Sequence, residues 1–203
     1  ITTTTALDNY NAAAASLAIE EFVEELSTWY IRRSRERMNP QNPDRQDQKT
    51  ALKTVYYVLV TLTRLLAPFN PFLAEEIHYN LTGQDSVHLT DWPKSQPKEI
   101  DQELEEAMSL IRDITSLAHG ARKNAQIKLR QPLSRLTITC PKESPSQKLI
   151  NLLKEEINVK AIDWKKGENL EVDLDTKITP KLKDEGQARV IIRQIQQLSL
   201  IHI

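Results

Sequence analysis

The chain has 203 residues, 39% of them hydrophobic and 27% charged, with a formal net charge of −1. That is enough apolar material for one large or two small domains, and too much for general disorder. No overall basic excess exists, so any nucleic-acid binding must come from local patches. Cys140 is the only cysteine, which excludes an internal disulfide and multi-cysteine zinc sites and fits a reducing, cytoplasmic setting. No run of about 18 apolar residues is present to span a membrane. The start, Ile1 followed by four threonines, has neither an initiator methionine nor a signal-peptide core, and reads as a cut from something longer.

Four glycines in the whole chain argue against a Gly-rich phosphate loop and for helices. A first helical pattern runs from about Thr5 to Met38. Its stripe passes from Leu7, Tyr10, Ala14 and Leu17 into Ile19, Phe22, Val23, Leu26, Trp29 and Tyr30. At about 100° per residue, Leu26, Trp29, Tyr30, Arg33 and Arg37 share one quadrant, so Arg33 and Arg37 are expected to extend the buried stripe past the core edge. Arg32 and Arg35 point elsewhere. Asn39-Pro40-Gln41-Asn42-Pro43 breaks the helix. A second helix starts near Pro43, with Asn42 as cap, and carries Leu52, Val55, Tyr56, Leu59, Leu62 and Leu66. Its extra apolar residues Tyr57, Val58 and Val60 predict a central position. Asn70-Pro71 opens a third helix that Gly83 ends. A fourth runs from about Ile100 to Lys123, with an acidic start that suits a helix N-terminus.

After Asn124 the period changes. Arg135–Thr139, Val159–Trp164 and Leu170–Ile178 read as strands, and Ser146–Glu156 as a short helix. A last helical pattern begins at Thr179-Pro180. The expected fold is mainly α: an antiparallel four-helix bundle over residues 1–125, a small α+β subdomain over 126–180, and a terminal helical segment over 181–203.

Two basic stretches stand out. Residues 29–37, Trp-Tyr-Ile-Arg-Arg-Ser-Arg-Glu-Arg, set four arginines beside two aromatics. Planar guanidinium forks and flat rings suit phosphates and unstacked RNA bases. The alternative is a solvated helix end whose cations complement the dipole. Trp29 and Tyr30, at the end of an apolar stripe, read as buried anchors that aim the arginines. The second stretch, Ala121–Arg135, holds Arg122, Lys123, Lys128, Arg130 and Arg135 and no acid. Its side chains either hold a phosphate backbone or pair with acids elsewhere, such as those of the 99–106 run.

Catalytic signatures are lacking. His78, His88, His119 and His202 are scattered, no P-loop, Gly-x-Ser-x-Gly or dinucleotide fingerprint occurs, and Cys140 reads as a small structural hydrophobe. The chain is expected to bind rather than catalyse.

Residues 22–37 resemble the start of the anticodon-binding domain of isoleucyl-tRNA synthetase, with the signature Trp-Tyr-x-Arg-Arg-Ser-Arg-x-Arg. Leu66-Ala-Pro-Phe-Asn-Pro-Phe-Leu-Ala-Glu-Glu-Ile77, Ser86-Val-His-Leu-Thr-Asp-Trp-Pro93, Ile127-Lys-Leu-Arg-Gln-Pro-Leu133 and Glu185-Gly-Gln-Ala-Arg189 are similar to the same family, in the same order. The Leu-Arg-Gln-Pro-Leu segment and the α+β unit behind it look most like the C-terminal extension of the eukaryote-like branch, which also occurs in some bacteria. The resemblance implies a piece of a monomeric class I ligase that joins isoleucine to tRNA-Ile with ATP and Mg²⁺ on a separate catalytic domain. The piece itself would need no cofactor or metal and would grip the anticodon arm through Trp29, Arg32, Arg33, Arg35, Arg37, Lys128 and Arg130. A scaffold module that docks protein partners through Val190, Ile191, Ile192 and Ile195 is the other expectation. The chain departs from the family twice. Met38-Asn39 stands where an aromatic Phe-Trp pair is usual, which puts one stacking platform in question. Residues 196–203 lack the expected basic side chains, so the last few positions read as foreign to the natural chain.

Overall fold

In a computed structural model the protein is described over residues 1–201, with side chains described for all of these except Glu99 and 196–201. His202 and the expectation about the side chains of 196–203 therefore fall outside the described residues. The protein is mainly helical, with a small mixed sheet in its second half. It divides into two compact units, Ile1–Pro97 and Lys98–Ile203.

The first unit begins with α1 (Thr2–Asp8), which the sequence pattern had run into its successor. The break is local chemistry. Asn9 donates to the Thr5 carbonyl at 2.8 Å, Tyr10 takes a left-handed φ of 55°, and the Asn11 side chain caps α2 (Ala12–Glu25) by accepting from the Ala14 amide at 3.0 Å. The side-chain bonds of Asn9 and Asn11 hold the turn on either side of Tyr10, so the capping signal overrides the apolar period. The inner stripe of α2 is Ala15 and Ile19, while Tyr10 and Leu17 face solvent. The helix continues through a π turn (Leu26–Ile31) into α3 (Arg32–Met38).

Asp44, not Asn42, caps α4 (Arg45–Leu66), accepting from the amides of Gln46 and Asp47. Ala51, Leu62 and Thr63 form the buried line of α4. Leu52, Tyr56 and Tyr57, expected inside, are about half exposed. Pro71 opens α5 (Pro71–Thr82), and Gly83 closes it in a left-handed conformation with φ 67°. The connecting segment is tied down twice. The Glu75 carboxylate accepts from the Val87 amide at 2.8 Å and from the Ser86 hydroxyl at 3.1 Å. Those bonds, the backbone one foremost, hold its carboxyl below the ordinary value. Trp92 Nε1 donates to Thr4 Oγ1 at 3.0 Å, fastening the segment to α1.

In the second unit α6 (Gln102–Asn124), capped by Asp101, packs against α7 and β3. Its buried face is Ile111, Ile114, Thr115 and Ala118. The sheet has the order β2-β1-β3: β1 (Leu133–Cys140) runs parallel to β2 (Val159–Lys166) and antiparallel to β3 (Glu171–Leu174). The parallel pair is joined by α7 (Gln147–Ile157), as a crossover requires. Leu133, Leu136, Ile138 and Cys140 of the central strand are buried. The last element is α8 (Pro180–Ile201). No helix among the described residues is long and apolar enough to cross a membrane.

Candidate nucleic-acid interface

The π turn decides how the arginines are presented. The Ser27 hydroxyl donates to the Val23 carbonyl and Thr28 Oγ1 to the Glu24 carbonyl at 2.7 Å. Back-bonding hydroxyls of this kind compete for the acceptors of the regular ladder and distort it. A π turn accommodates one extra residue, rotating everything after it by about 100°. Nineteen residues separate Ala15 from Ser34. An unbroken α-helix would leave Ser34 about 100° off the inward line and put Arg33 on it. With the extra residue Ser34 returns to that line, and it is indeed the one fully buried residue of α3. The expectation that Arg33 and Arg37 continue the stripe is thereby corrected. The smallest residue of the run faces inward and the four arginines flank it. Trp29 and Tyr30, expected to be buried, are only half-buried.

The four guanidinium groups have different fates. Arg37 Nε and Nη2 grip the Asp47 carboxylate of α4 in a forked pair, with contacts of 2.6–3.0 Å. The hydrogen bond is the main reason that Arg37 is held above and Asp47 below their ordinary values. Arg32 Nε donates to the Thr28 carbonyl at 2.6 Å, and its guanidinium lies 6.0 Å from the centre of the Trp29 ring, a cation–π arrangement. Arg33 is half-buried and engaged with its surroundings. Arg35 is exposed and has no side-chain partner among the described residues.

In the second unit the basic stretch separates into inner and outer members. Arg122 is only 2% exposed. It donates to the carbonyls of Gln131 and Asn158 at 3.0 Å each and of Lys128 at 3.3 Å. No carboxylate balances it among the described residues, and burial pushes its guanidinium below the ordinary value. Arg122 is thus the internal clamp of the 128–131 turn rather than a surface cation. Arg135 pairs with Asp163 across the parallel strands, in line with the pairing alternative. Lys123, Lys128 and Arg130 remain exposed. The segments singled out in sequence also meet. Gln131 Nε2 donates to the Leu182 carbonyl at 2.7 Å, and its amide lies where a Cβ on Gly186 would sit, so any side chain there would have to displace that amide. Glu185 pairs with Lys160 at 2.7 Å and Arg189 at 2.9 Å, which holds its carboxyl down.

Sequence reasoning missed Asp47, which fixes Arg37, and the clamp formed by Arg122. Spacing alone signals neither, because both act across the fold.

A family profile described as the anticodon-binding domain of tRNA ligase matches residues 1–138, the span that holds every cation described above up to Arg135. The chain belongs to this anticodon-binding domain family. It is 37% identical over 215 aligned residues to an isoleucine–tRNA ligase of Dehalococcoides mccartyi, covering 95% of this chain and 21% of that protein. It is 40% identical to an isoleucine–tRNA ligase of Clostridium novyi, covering 90% of the chain and 18% of the relative. With that of Pyrococcus abyssi the figures are 36%, 94% and 19%. The chain therefore spans about a fifth of the length of the curated relatives it matches. The anticodon-binding domain carries its cations in both of its compact units: Arg32, Arg33, Arg35 and Arg37 with Trp29 in the first, Lys128 and Arg130 in the second.

Proposed function

We propose that this domain binds the anticodon arm of tRNA-Ile as part of an isoleucine–tRNA ligase. The observation that carries the reading is the family match across residues 1–138, which includes an exposed arginine, Arg35, that no acid neutralises among the described residues. Arg32, Arg33, Arg35, Lys128 and Arg130 contact phosphates, Trp29 with Arg32 offers a stacking edge, and Arg37 braces the helix against α4. Ligation with ATP and Mg²⁺ takes place on another part of the ligase. Among the described residues no group of three or more His, Cys, Asp or Glu side chains could hold a metal ion. The whole protein acts in the cytoplasm as a monomer, and its remaining contacts with tRNA add avidity.

The test is affinity for tRNA-Ile and for an unrelated tRNA across a salt series. Selective binding with a steep salt dependence is expected, and Arg35→Ala should reduce the slope of log K against log salt by about 0.7–0.9. Equal, salt-insensitive retention of both RNAs would refute the reading. A second reading, a module that docks proteins, draws on Val190, Ile191, Ile192 and Ile195, which are 38–60% exposed on α8. It predicts that Val190→Lys with Ile191→Lys leaves tRNA affinity untouched while abolishing partner capture.

A further inference from the structure

In the turn that carries Lys128 and Arg130, two successive carbonyls are held from within. That of Lys128 accepts from Arg122 Nη1 at 3.3 Å and from the Gln131 amide at 3.0 Å, and that of Leu129 from Asn158 Nδ2 at 2.8 Å. In a planar trans peptide the N–H points opposite to the carbonyl. The amides of Leu129 and Arg130 therefore face away from Arg122 and Asn158, and neither has an acceptor among the described residues. The side chains of Lys128 and Arg130 are exposed and likewise have no partner among the described residues. We propose that this turn is a phosphate site. The amides of Leu129 and Arg130 donate to phosphate oxygens, and the Lys128 ammonium and Arg130 guanidinium neutralise the charge. Successive main-chain N–H groups in a turn form concavities that bind anions. The proposal deepens the anticodon-arm reading and rests on it for the source of the phosphate, an RNA backbone phosphodiester. A free phosphate ion offers the same chemistry.

Electrostatics favour an anion at this place. Arg122 lies beneath the turn, 2% exposed, with no carboxylate beside it among the described residues and with an Nε that has no partner. Carbonyl dipoles solvate the guanidinium but leave its net charge in place, and at low dielectric that charge is felt further than an exposed one. Lys123, Lys128 and Arg130 add to it, and the chain from Ala121 to Arg135 contains no acid. Arg135 is neutralised by Asp163. Glu185 of α8, the helix to which Gln131 ties the turn, is occupied by Lys160 and Arg189. An external anion supplies the counter-charge that this cluster lacks.

The site is also built in advance. Asn158 takes a left-handed φ of 56° at the end of α7. Its carbonyl accepts from Arg122 of α6 and Leu133 of β1, its Oδ1 from Arg189 of α8 at 2.7 Å, and its Nδ2 donates to the turn. Gln131 Nε2 fixes the exit by donating to the Pro132 and Leu182 carbonyls. The two amides are thus aimed before a ligand arrives, and little ordering is left to be done on binding.

The experiment follows the amide resonances of the ¹⁵N-labelled full chain at constant ionic strength, in titrations with inorganic phosphate and with a tRNA-Ile anticodon stem-loop. The Leu129 and Arg130 amides should shift downfield and saturably with each. The stem-loop should act at a concentration at least about tenfold lower, because its other phosphates add avidity. A response to the stem-loop alone upholds the site and makes the phosphodiester its source, and a response to inorganic phosphate alone upholds it with the free anion as source. Lys128→Met and Arg130→Met, at exposed positions that do not test folding, should each weaken whichever titrant moves the amides by about fivefold or more. The inference is overturned if neither titrant moves the two amides, if sodium chloride at the same ionic strength reproduces the shifts, or if both variants change affinity less than twofold. A stem-loop that binds the wild-type chain at no salt overturns the anticodon-arm reading, and the inorganic phosphate arm then decides the site by itself.

Discussion

Replacing Arg122 with methionine isolates the most unusual group in the second unit. The substitution keeps most of the aliphatic stem and removes three charge-assisted bonds to main-chain carbonyls. The damage is uneven. The Lys128 carbonyl also accepts from the Gln131 amide, and the Asn158 carbonyl from the Leu133 amide, so each retains a partner. Among the described residues the Gln131 carbonyl has no other backbone donor and is orphaned, at about 1–3 kcal/mol. The other two losses add roughly 0.5–1 kcal/mol each. Against this, a buried guanidinium whose Nε has no partner no longer has to be desolvated. The net expectation is a loss of about 2–4 kcal/mol. At a urea slope near 2 kcal/mol/M, the midpoint falls by about 1–2 M. The tryptophans report the units separately: Trp29 and Trp92 lie in the first and Trp164 in the second. Indole N–H resonances followed through a urea titration of the full chain should show Trp164 shifting while the other two hold. A Trp164 midpoint within about 0.3 M of wild type would refute the clamp, as would equal movement of all three.

Three variants probe the first unit. Asp47 has its folded pKa depressed, so its contribution to stability is complete above its unfolded value near about 3.9 and disappears as pH falls through the folded value. Asp47→Asn should therefore destabilise the chain at neutral pH and flatten the acid limb of its stability profile. An unchanged profile would mean that the pair contributes nothing. The same variant frees Arg37 and should steepen the salt dependence of tRNA binding, measured as for Arg35→Ala. Deleting Ser27 removes the extra residue of the π turn, turns Arg33 inward and carries Arg37 away from Asp47. Loss of the protected Arg37 Nε–H resonance with helical circular dichroism retained is the expected result, and a persisting resonance contradicts the phase argument. Gly83→Ala meets no steric obstacle but must hold φ 67°, so thermal unfolding should show a loss of about 1 kcal/mol and no change in RNA affinity.

Much of this protein is local and therefore legible in its sequence. Helix ends marked by Asn70-Pro71 and Gly83 fall where those residues dictate, because proline and glycine restrict their own backbone. The β-branched alternation of the central strand and the parallel crossover through α7 are equally plain. The run of arginines beside Trp29 and its likeness to the isoleucine enzyme's domain needed no coordinates. What the sequence could not fix is phase and partnership. One extra residue in a helix changes no local preference, yet it exchanges Arg33 for Ser34 on the inner face. Which cations stay outside depends on carboxylates and carbonyls brought from distant segments: Asp47 to Arg37, Asp163 to Arg135, and the 128–158 carbonyls to Arg122. α6 likewise reads as a bundle helix because an amphipathic face names no partner. That it packs against β3 and α7 is seen only in the tertiary structure. Composition and spacing set the chemistry available, and the tertiary contacts, by satisfying some charges internally, selected the few left to meet a ligand.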